Sequence, residues 1–335
     1  MQKMKWKAPI LLTMAAVIWG FAFVAQRVGI QYIGSFTFTG VRFALGAFTL
    51  LPLLIIRNIK DKKNNKDVSI ETEGIKVGRH ADNPAVLRAG IIAGFVLFIA
   101  AGLQQIGLED TTAGKAAFIT GFYIVLVPAL GIFIKQRVGV KTWIAAFLAL
   151  AGLYLISVEE NFTISRGDLM VFICSFFFAV HILLINRFTQ KADALKISFV
   201  QYLTCSALSL ISALLLEEIQ LSAITKAAIP ILYGGIFSVG IAYTLQAVGQ
   251  KYAKASHAAI IMSLESVFAL IGGMLILKET LDWRGYAGCL LTLSGVLLSQ
   301  LRARNREEVN IENGMNLKQG DMLMLQTEAE RSVIK

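Results

Sequence analysis

The chain is 335 residues long, 56% hydrophobic and 16% charged, with a formal net charge of +10 and a mean hydropathy of +0.65. Soluble domains are about 45–50% apolar and about 25% charged, so lipid rather than water is the solvent for most of this chain. The basic residues recur in short loops between apolar runs instead of sharing one face, which excludes a nucleic-acid surface despite the positive charge.

A transmembrane helix needs about 20 mostly apolar residues. Ten such runs are predicted, at 8–28, 36–56, 87–108, 115–134, 141–158, 168–187, 195–216, 228–248, 256–277 and 283–301. The first begins near a basic N-terminus, but it is too long for a signal-peptide core. It lacks an A-x-A cleavage site and reads as an uncleaved span. Residues 57–86 form a polar, Lys-rich loop, and residues 302–335 a polar tail.

Of 32 Lys and Arg residues, 25 fall in one alternating set of connections and termini, six fall in the other, and Arg42 lies inside a span. The positive-inside rule then places both termini of this multi-pass protein in the cytoplasm. Trp6 and Trp143 fall at the inner interface and Trp283 at the outer one. Cys174, Cys205 and Cys289 all lie in apolar runs without CxxC spacing, as buried thiols do. No metal site and no cofactor are expected. There is no G-x-x-x-x-G-K-[ST], G-x-S-x-G or H-E-x-x-H motif.

The chain contains an internal repeat. Leu103, Gln104 and Gly107 recur as Leu245, Gln246 and Gly249, and Ala116 and Ala117 recur as Ala258 and Ala259, at an offset of 142. The first two spans map onto the sixth and seventh at an offset of 159, pairing Arg42 with Gln201 and Phe43 with Tyr202. Each half, 8–158 and 168–301, thus holds five spans. Five is odd, so the halves insert with opposite orientations. The expected fold is all-α: ten transmembrane helices as two inverted five-helix repeats. That build is recurrent in secondary transporters, with a substrate site near the bilayer midplane between the repeats.

The stretches WGFAFVAQR in the first span, VRF in the second, LESVFALIGGMLILKETL in the ninth and GYAGCLLTLSGVLL in the tenth resemble the drug/metabolite transporter superfamily, in particular its ten-span EamA branch. The resemblance covers about residues 8–301. It implies a central cavity lined by spans 1–4 and 6–9, with spans 5 and 10 peripheral. With the apparent topology it implies a place in the cell (plasma) membrane, and it implies no particular substrate. The family often has Glu-Pro in the ninth span. This chain has Glu265-Ser266, which argues against a helix break there.

Glu265 is the leading candidate site residue. It lies about nine residues into its span, roughly 13 Å deep at 1.5 Å per residue, and an ionised carboxylate there costs several kcal/mol unless paired or wet. It reads as a cation-binding group or proton carrier, or else as a structural hydrogen-bonding or ion-pair partner. Arg42 is a candidate to bind a substrate carboxylate, to neutralise Glu265, or to snorkel outward. His181 is a candidate titrating group or a neutral hydrogen-bonding residue. Gln104 and Gln246 are repeat mates, as are Tyr123 and Glu265. Such side chains orient a polar substrate or serve as interhelical glue. Trp19 and Gln26 complete the candidate lining. Lys115 and His257 are also mates, as gate residues or interfacial anchors. Gly90-xxx-Gly94 and Gly272-Gly273 suit close packing, and Pro52 and Pro128 are candidate kinks.

These readings converge on a secondary transporter, an exporter of a small polar or amphipathic metabolite or drug, working by alternating access and not an enzyme. Its expected partners are that small molecule, the lipid bilayer and, as candidates, a proton as coupling ion and a second copy in a homodimer. The alternatives are a membrane-embedded enzyme using Glu265 and His181, and a non-transporting structural or sensory membrane protein.

Overall fold

Long apolar runs set the helices, and short polar residues start them. Thr112 accepts from the backbone N–H of Lys115, Ser165 and Asp168 form a reciprocal capping box, and Asp193 accepts from the N–H groups of Leu195 and Lys196. Each satisfies backbone donors that a helix leaves open at its first turn. The computed structural model describes residues 7–68, 83–136, 138–157, 165–277 and 283–299, and among these there is no strand.

The helices are α1 (Lys7–Gly29), α2 (Ser35–Val68), α3 (Asn83–Gly107), α4 (Ala113–Thr120), α5 (Tyr123–Phe133), α6 (Val140–Ser157), α7 (Arg166–Thr189), α8 (Ala194–Leu216), α9 (Leu221–Lys226), α10 (Ala228–Leu232), α11 (Thr244–Gln250), α12 (Ala255–Met262), α13 (Leu264–Gly272) and α14 (283–299). A π-helical stretch, Tyr233–Tyr243, joins α10 to α11, and a π-helical turn, Gly273–Leu277, follows α13. Eight stretches are long and apolar enough to cross a membrane: Lys7–Gly29, Ser35–Arg57, Pro84–Gly107, Ala113–Phe133, Arg166–Thr189, Ala194–Leu216, Ala228–Gln250 and Ala255–Ile276. The other two predicted runs, 141–158 and 283–301, fall on the shorter helices α6 and α14.

Two predicted features are corrected. The polar loop 57–86 does not begin as a loop, because α2 continues past Arg57 to Val68 without a break at Pro52. Its RNIKDKKNNKDV stretch contains neither Gly nor Pro, so nothing local stops the helix when it leaves the apolar run. Residues 83–86 of that loop belong to α3, while residues 69–82, the tail 302–335 and Trp6 lie outside the described residues. The second correction concerns the ninth apolar run, which is broken despite lacking a proline. α12 ends at Met262, and α13 restarts at Leu264 after Ser263. The fourth run breaks in the same register: Gly121, 142 residues before Ser263, separates α4 from α5. Pro128 sits inside α5, beyond that break.

The halves interlock rather than lie side by side. α1 packs on α11, α13 and the Tyr233–Tyr243 stretch, while α7 packs on α3, α4 and α5. α2 packs on α8, and α3 packs on both α7 and α8. Glycines permit the closest approaches. A Cβ on Gly94 of α3 would meet the Thr204 Cβ at 2.6 Å and the Gln201 carbonyl oxygen at 2.7 Å on α8. Gly94→Val is therefore expected to force α3 and α8 apart and to cost about 1–3 kcal/mol of stability. Thermal unfolding in detergent checks this, with Gly114→Ala as the neutral comparison, since a Cβ there meets nothing within 4 Å.

Candidate functional site

The two helix breaks deliver the site's central pair. Tyr123 is the first residue of α5 and Glu265 the second of α13, so each projects from the turn where its span restarts. The Tyr123 hydroxyl donates to Glu265 Oε1 at 2.9 Å. Glu265 is buried, and this is its one hydrogen bond among the described residues. Next to it, Ser266 Oγ donates to the Ala117 carbonyl at 3.0 Å, tying α13 to α4.

The pair faces a partly open cavity among the helices. Seven of the eight predicted site residues line it: Glu265, Arg42, Trp19, Gln26, Tyr123, Gln104 and Gln246. Trp19 donates its indole N–H to the Ser238 carbonyl at 3.3 Å and packs edge-on to Tyr243 at 4.8 Å. Gln104 Nε2 donates to Thr120 Oγ1 at 3.1 Å. Gln26 Oε1 is buried without a partner. Arg42 is 2% exposed, with its guanidinium 5.5 Å from the Phe38 ring centre and 5.3 Å from that of Phe43. Arg42 and Glu265 share the cavity but form no ion pair.

His181 does not line the cavity. Its Nε2 lies 2.9 Å from Gln201 Oε1, and its ring meets Tyr243 edge-on at 6.2 Å, so it sits behind the wall that Tyr243 forms. Lys115 is likewise outside the cavity and pairs with Asp168 at 2.6 Å, joining α4 to α7.

The other lining residues are Phe23, Thr120, Phe178, Ile182, Ser238, Tyr243 and Met262, none of them expected from the sequence. Several were within reach of the repeat. Phe178 and Ile182 lie 159 residues after Trp19 and Phe23, and Met262 lies 142 after Thr120. With Gln104 and Gln246, and Tyr123 and Glu265, these make five mated pairs on one wall system. Chemically, the cavity offers one carboxylate, one guanidinium, three amides and an aromatic lining. That set can hold a small molecule by charge and stacking. Among the described residues there is no cluster of His, Cys, Asp and Glu fit to hold a metal ion.

Fold and cavity together define a multi-pass membrane protein with a largely apolar cavity among its helices, whose lining includes one carboxylate and one guanidinium. The chain belongs to the EamA-like transporter family, whose profile matches residues 6–158 and 165–301, and with it to the drug/metabolite transporter superfamily. It is similar to an uncharacterized transporter of Archaeoglobus fulgidus, 29% identical over 296 residues and covering 88% of this chain and 86% of that one. It is also similar to the uncharacterized transporter YoaV of Bacillus subtilis, 23% identical over 297 residues and covering 87% and 96% of the two chains. A solved crystal structure shares the fold with a TM-score of 0.70 at 18% identity, over 90% of this chain and 99% of that one. The protein is a membrane transporter.

Proposed function

We propose that the protein is a secondary transporter that moves a small polar or amphipathic metabolite outward across the cell membrane by alternating access. In this reading the ten helices form two inverted five-helix repeats, both termini face the cytoplasm, and the cavity beside Glu265 is the substrate site. The observation that carries it is the Tyr123–Glu265 hydrogen bond. Two residues 142 apart in sequence, each at a helix break, meet at the wall of one cavity. A site built from mated residues of two halves is what alternating access by exchange of their conformations requires.

End contacts support the opposite orientation of the halves. Arg27, near the end of α1, donates to the carbonyls of Leu108 and Glu109, beside the start of α7. Asn186 lies 159 residues after Arg27 and donates to the Gln250 carbonyl at 2.8 Å, and Gln250 lies 142 after Leu108. Gly107 approaches Gly167 and Val171 at the start of α7, while its mate Gly249 approaches Ala8 and Leu12 at the start of α1. Equivalent contacts thus occupy opposite ends of the bundle.

The membrane-embedded enzyme reading has less support, since His181 is separated from Glu265 by Tyr243. A proton is the favoured coupling ion, because Glu265 is a buried carboxylate with a single phenolic partner. The test is efflux and uptake in reconstituted vesicles with a pooled metabolite library, with and without a pH gradient. Gradient-dependent movement of at least one compound is the expected result. Movement that ignores the gradient removes proton coupling. No movement by folded protein, together with no change in spin-label distances between the two ends of the bundle, sinks the transporter mechanism.

A further inference from the structure

We infer that Arg42 is a receptor for a carboxylate, so that the cargo is a small monocarboxylic acid whose other end offers a hydrogen-bond donor to Glu265. This rests on the cavity being the transport site.

The first ground is an uncompensated charge. A buried guanidinium is always ionised and is costly to leave unpaired. Among the described residues no carboxylate lies within ion-pair distance of Arg42, and its buried Nε has no hydrogen-bond partner. The rings of Phe38 and Phe43 flank it, but ring faces cannot satisfy N–H donors as an anion does. A planar fork held between two rings and open to a cavity matches the two oxygens of a carboxylate.

The second ground is asymmetry. Gln201, the repeat mate of Arg42, is neutral, and its Oε1 is engaged by His181 at 2.9 Å away from the cavity. The chamber therefore offers one anion site rather than two, and a carboxylate, Glu265, shares it. A dianion such as a phosphate monoester would face that carboxylate with a single counter-charge. A monocarboxylate is neutralised by Arg42 alone. Glu265 keeps Oε1 for Tyr123, and its second oxygen remains an acceptor for an amine or hydroxyl on the cargo. The walls contributed by Trp19, Phe23, Phe178 and Tyr243 suit an apolar or aromatic body between the two polar ends.

The probes share one phenyl body: 3-phenyllactate carries a carboxylate and a hydroxyl, phenylalanine a carboxylate and an amine, and phenethylamine an amine alone. Thermal unfolding of the purified full-length protein in detergent is measured with each. Either acid, at saturating concentration, is expected to raise the wild-type Tm by roughly 2–4 °C, with phenethylamine giving no shift. Whichever acid gives the larger shift identifies the donor that Glu265 accepts. In Arg42→Gln, which installs the residue found at the mated position, the acid shift should vanish while the unliganded Tm is kept. Arg42→Lys keeps the charge without the fork and should retain a weakened shift. Wild-type protein that neither acid stabilises, a shift equally large with phenethylamine, or an acid shift that survives in Arg42→Gln each overturn the assignment. If the acids bind at Arg42 but never cross reconstituted vesicles, the anion site stands and the transport reading fails. If phenethylamine crosses and the acids do not, the reverse holds.

Discussion

Replacing Glu265 with glutamine is expected to reduce gradient-dependent transport about 100-fold while leaving the protein folded. The amide is nearly the same shape as the carboxylate, and its oxygen still accepts the Tyr123 hydroxyl that now lies 2.9 Å from Glu265 Oε1. What disappears is the negative charge and the capacity to exchange a proton. A hydrogen bond to a charged group is worth about 1.5–3 kcal/mol, and each 1.4 kcal/mol is a factor of ten, which sets the expected loss. Tyr123→Phe makes the opposite change, keeping the carboxylate and deleting its partner, and should cost less than about tenfold. Transport of the vesicle-screen substrate by the two variants separates the roles. If Glu265→Gln transports like wild type, Glu265 is interhelical glue and the structural alternative raised by its sequence context is correct. Arg42→Leu combined with Glu265→Leu controls for any loss of stability caused by leaving one charge alone in the cavity.

This pair also shows where the sequence was readable. The offset of 142 aligned Tyr123 with Glu265, and the two prove to touch. Seven candidate site residues share the cavity because each is a polar or aromatic side chain on a span that is otherwise apolar, and such residues are costly unless they face an interior. The break at Ser263 was hidden because no proline marks it. It appears only beside its mate at Gly121, where the following turns carry matching three-residue backbone hydrogen bonds, Ile124 N to Gly121 O and Ser266 N to Ser263 O. His181 lies off the cavity, hydrogen-bonded to Gln201 as the second of its two readings has it, because helical phase, not residue type, decides what it faces. Phe178 and Ile182 line the cavity, and His181 lies about 100° round the helix from Ile182.

Tyr243 was out of reach for a different reason. Gly94 meets Thr204 on α8, and Gly235 meets Leu45 on α2. Leu45 and Thr204 are mates at 159, so Gly94 and Gly235 are structural mates at 141, one fewer than the 142 that relates Gln104 to Gln246. The second half thus carries one extra residue between these points. The π-helical stretch Tyr233–Tyr243 absorbs it, as such stretches absorb insertions in helices. Tyr243 ends that stretch, at the place where the first half has Ala101 or Gly102. No repeat alignment at constant offset puts an aromatic residue there.

Replacing Lys115 with methionine is expected to destabilise the protein by about 3 kcal/mol, because it strands a buried carboxylate. The Asp168 side chain is 4% exposed and that of Lys115 19%, with the ammonium 2.6 Å from Oδ2. Asp168 keeps its bonds from the Thr111 hydroxyl at 2.7 Å and the Ser165 N–H at 2.7 Å, which hold the cost to the lower part of the usual range. The Arg57–Asp193 pair at the opposite end provides the contrast. Its side chains are 49% and 22% exposed, and a pair that wet is worth about 0–1 kcal/mol, so Arg57→Met should barely move the Tm. Lys115→Met with Asp168→Asn removes both charges and should recover most of the loss.

The consequence for function follows from which elements the buried pair joins. Lys115 belongs to α4 in the first half and Asp168 to α7 in the second, so under the proposed alternating access the bond would hold only while that end of the bundle is closed. Removing about 3 kcal/mol from the closed arrangement alone shifts its balance with the open one by about 100-fold. Spin labels at Gly114 and Leu169, on either side of the pair, should therefore report longer distances in Lys115→Met than in the parent protein, while Arg57→Met leaves that distance unchanged. A loss of Tm with no lengthening would mean that the ion pair braces one rigid end, and that the halves open elsewhere.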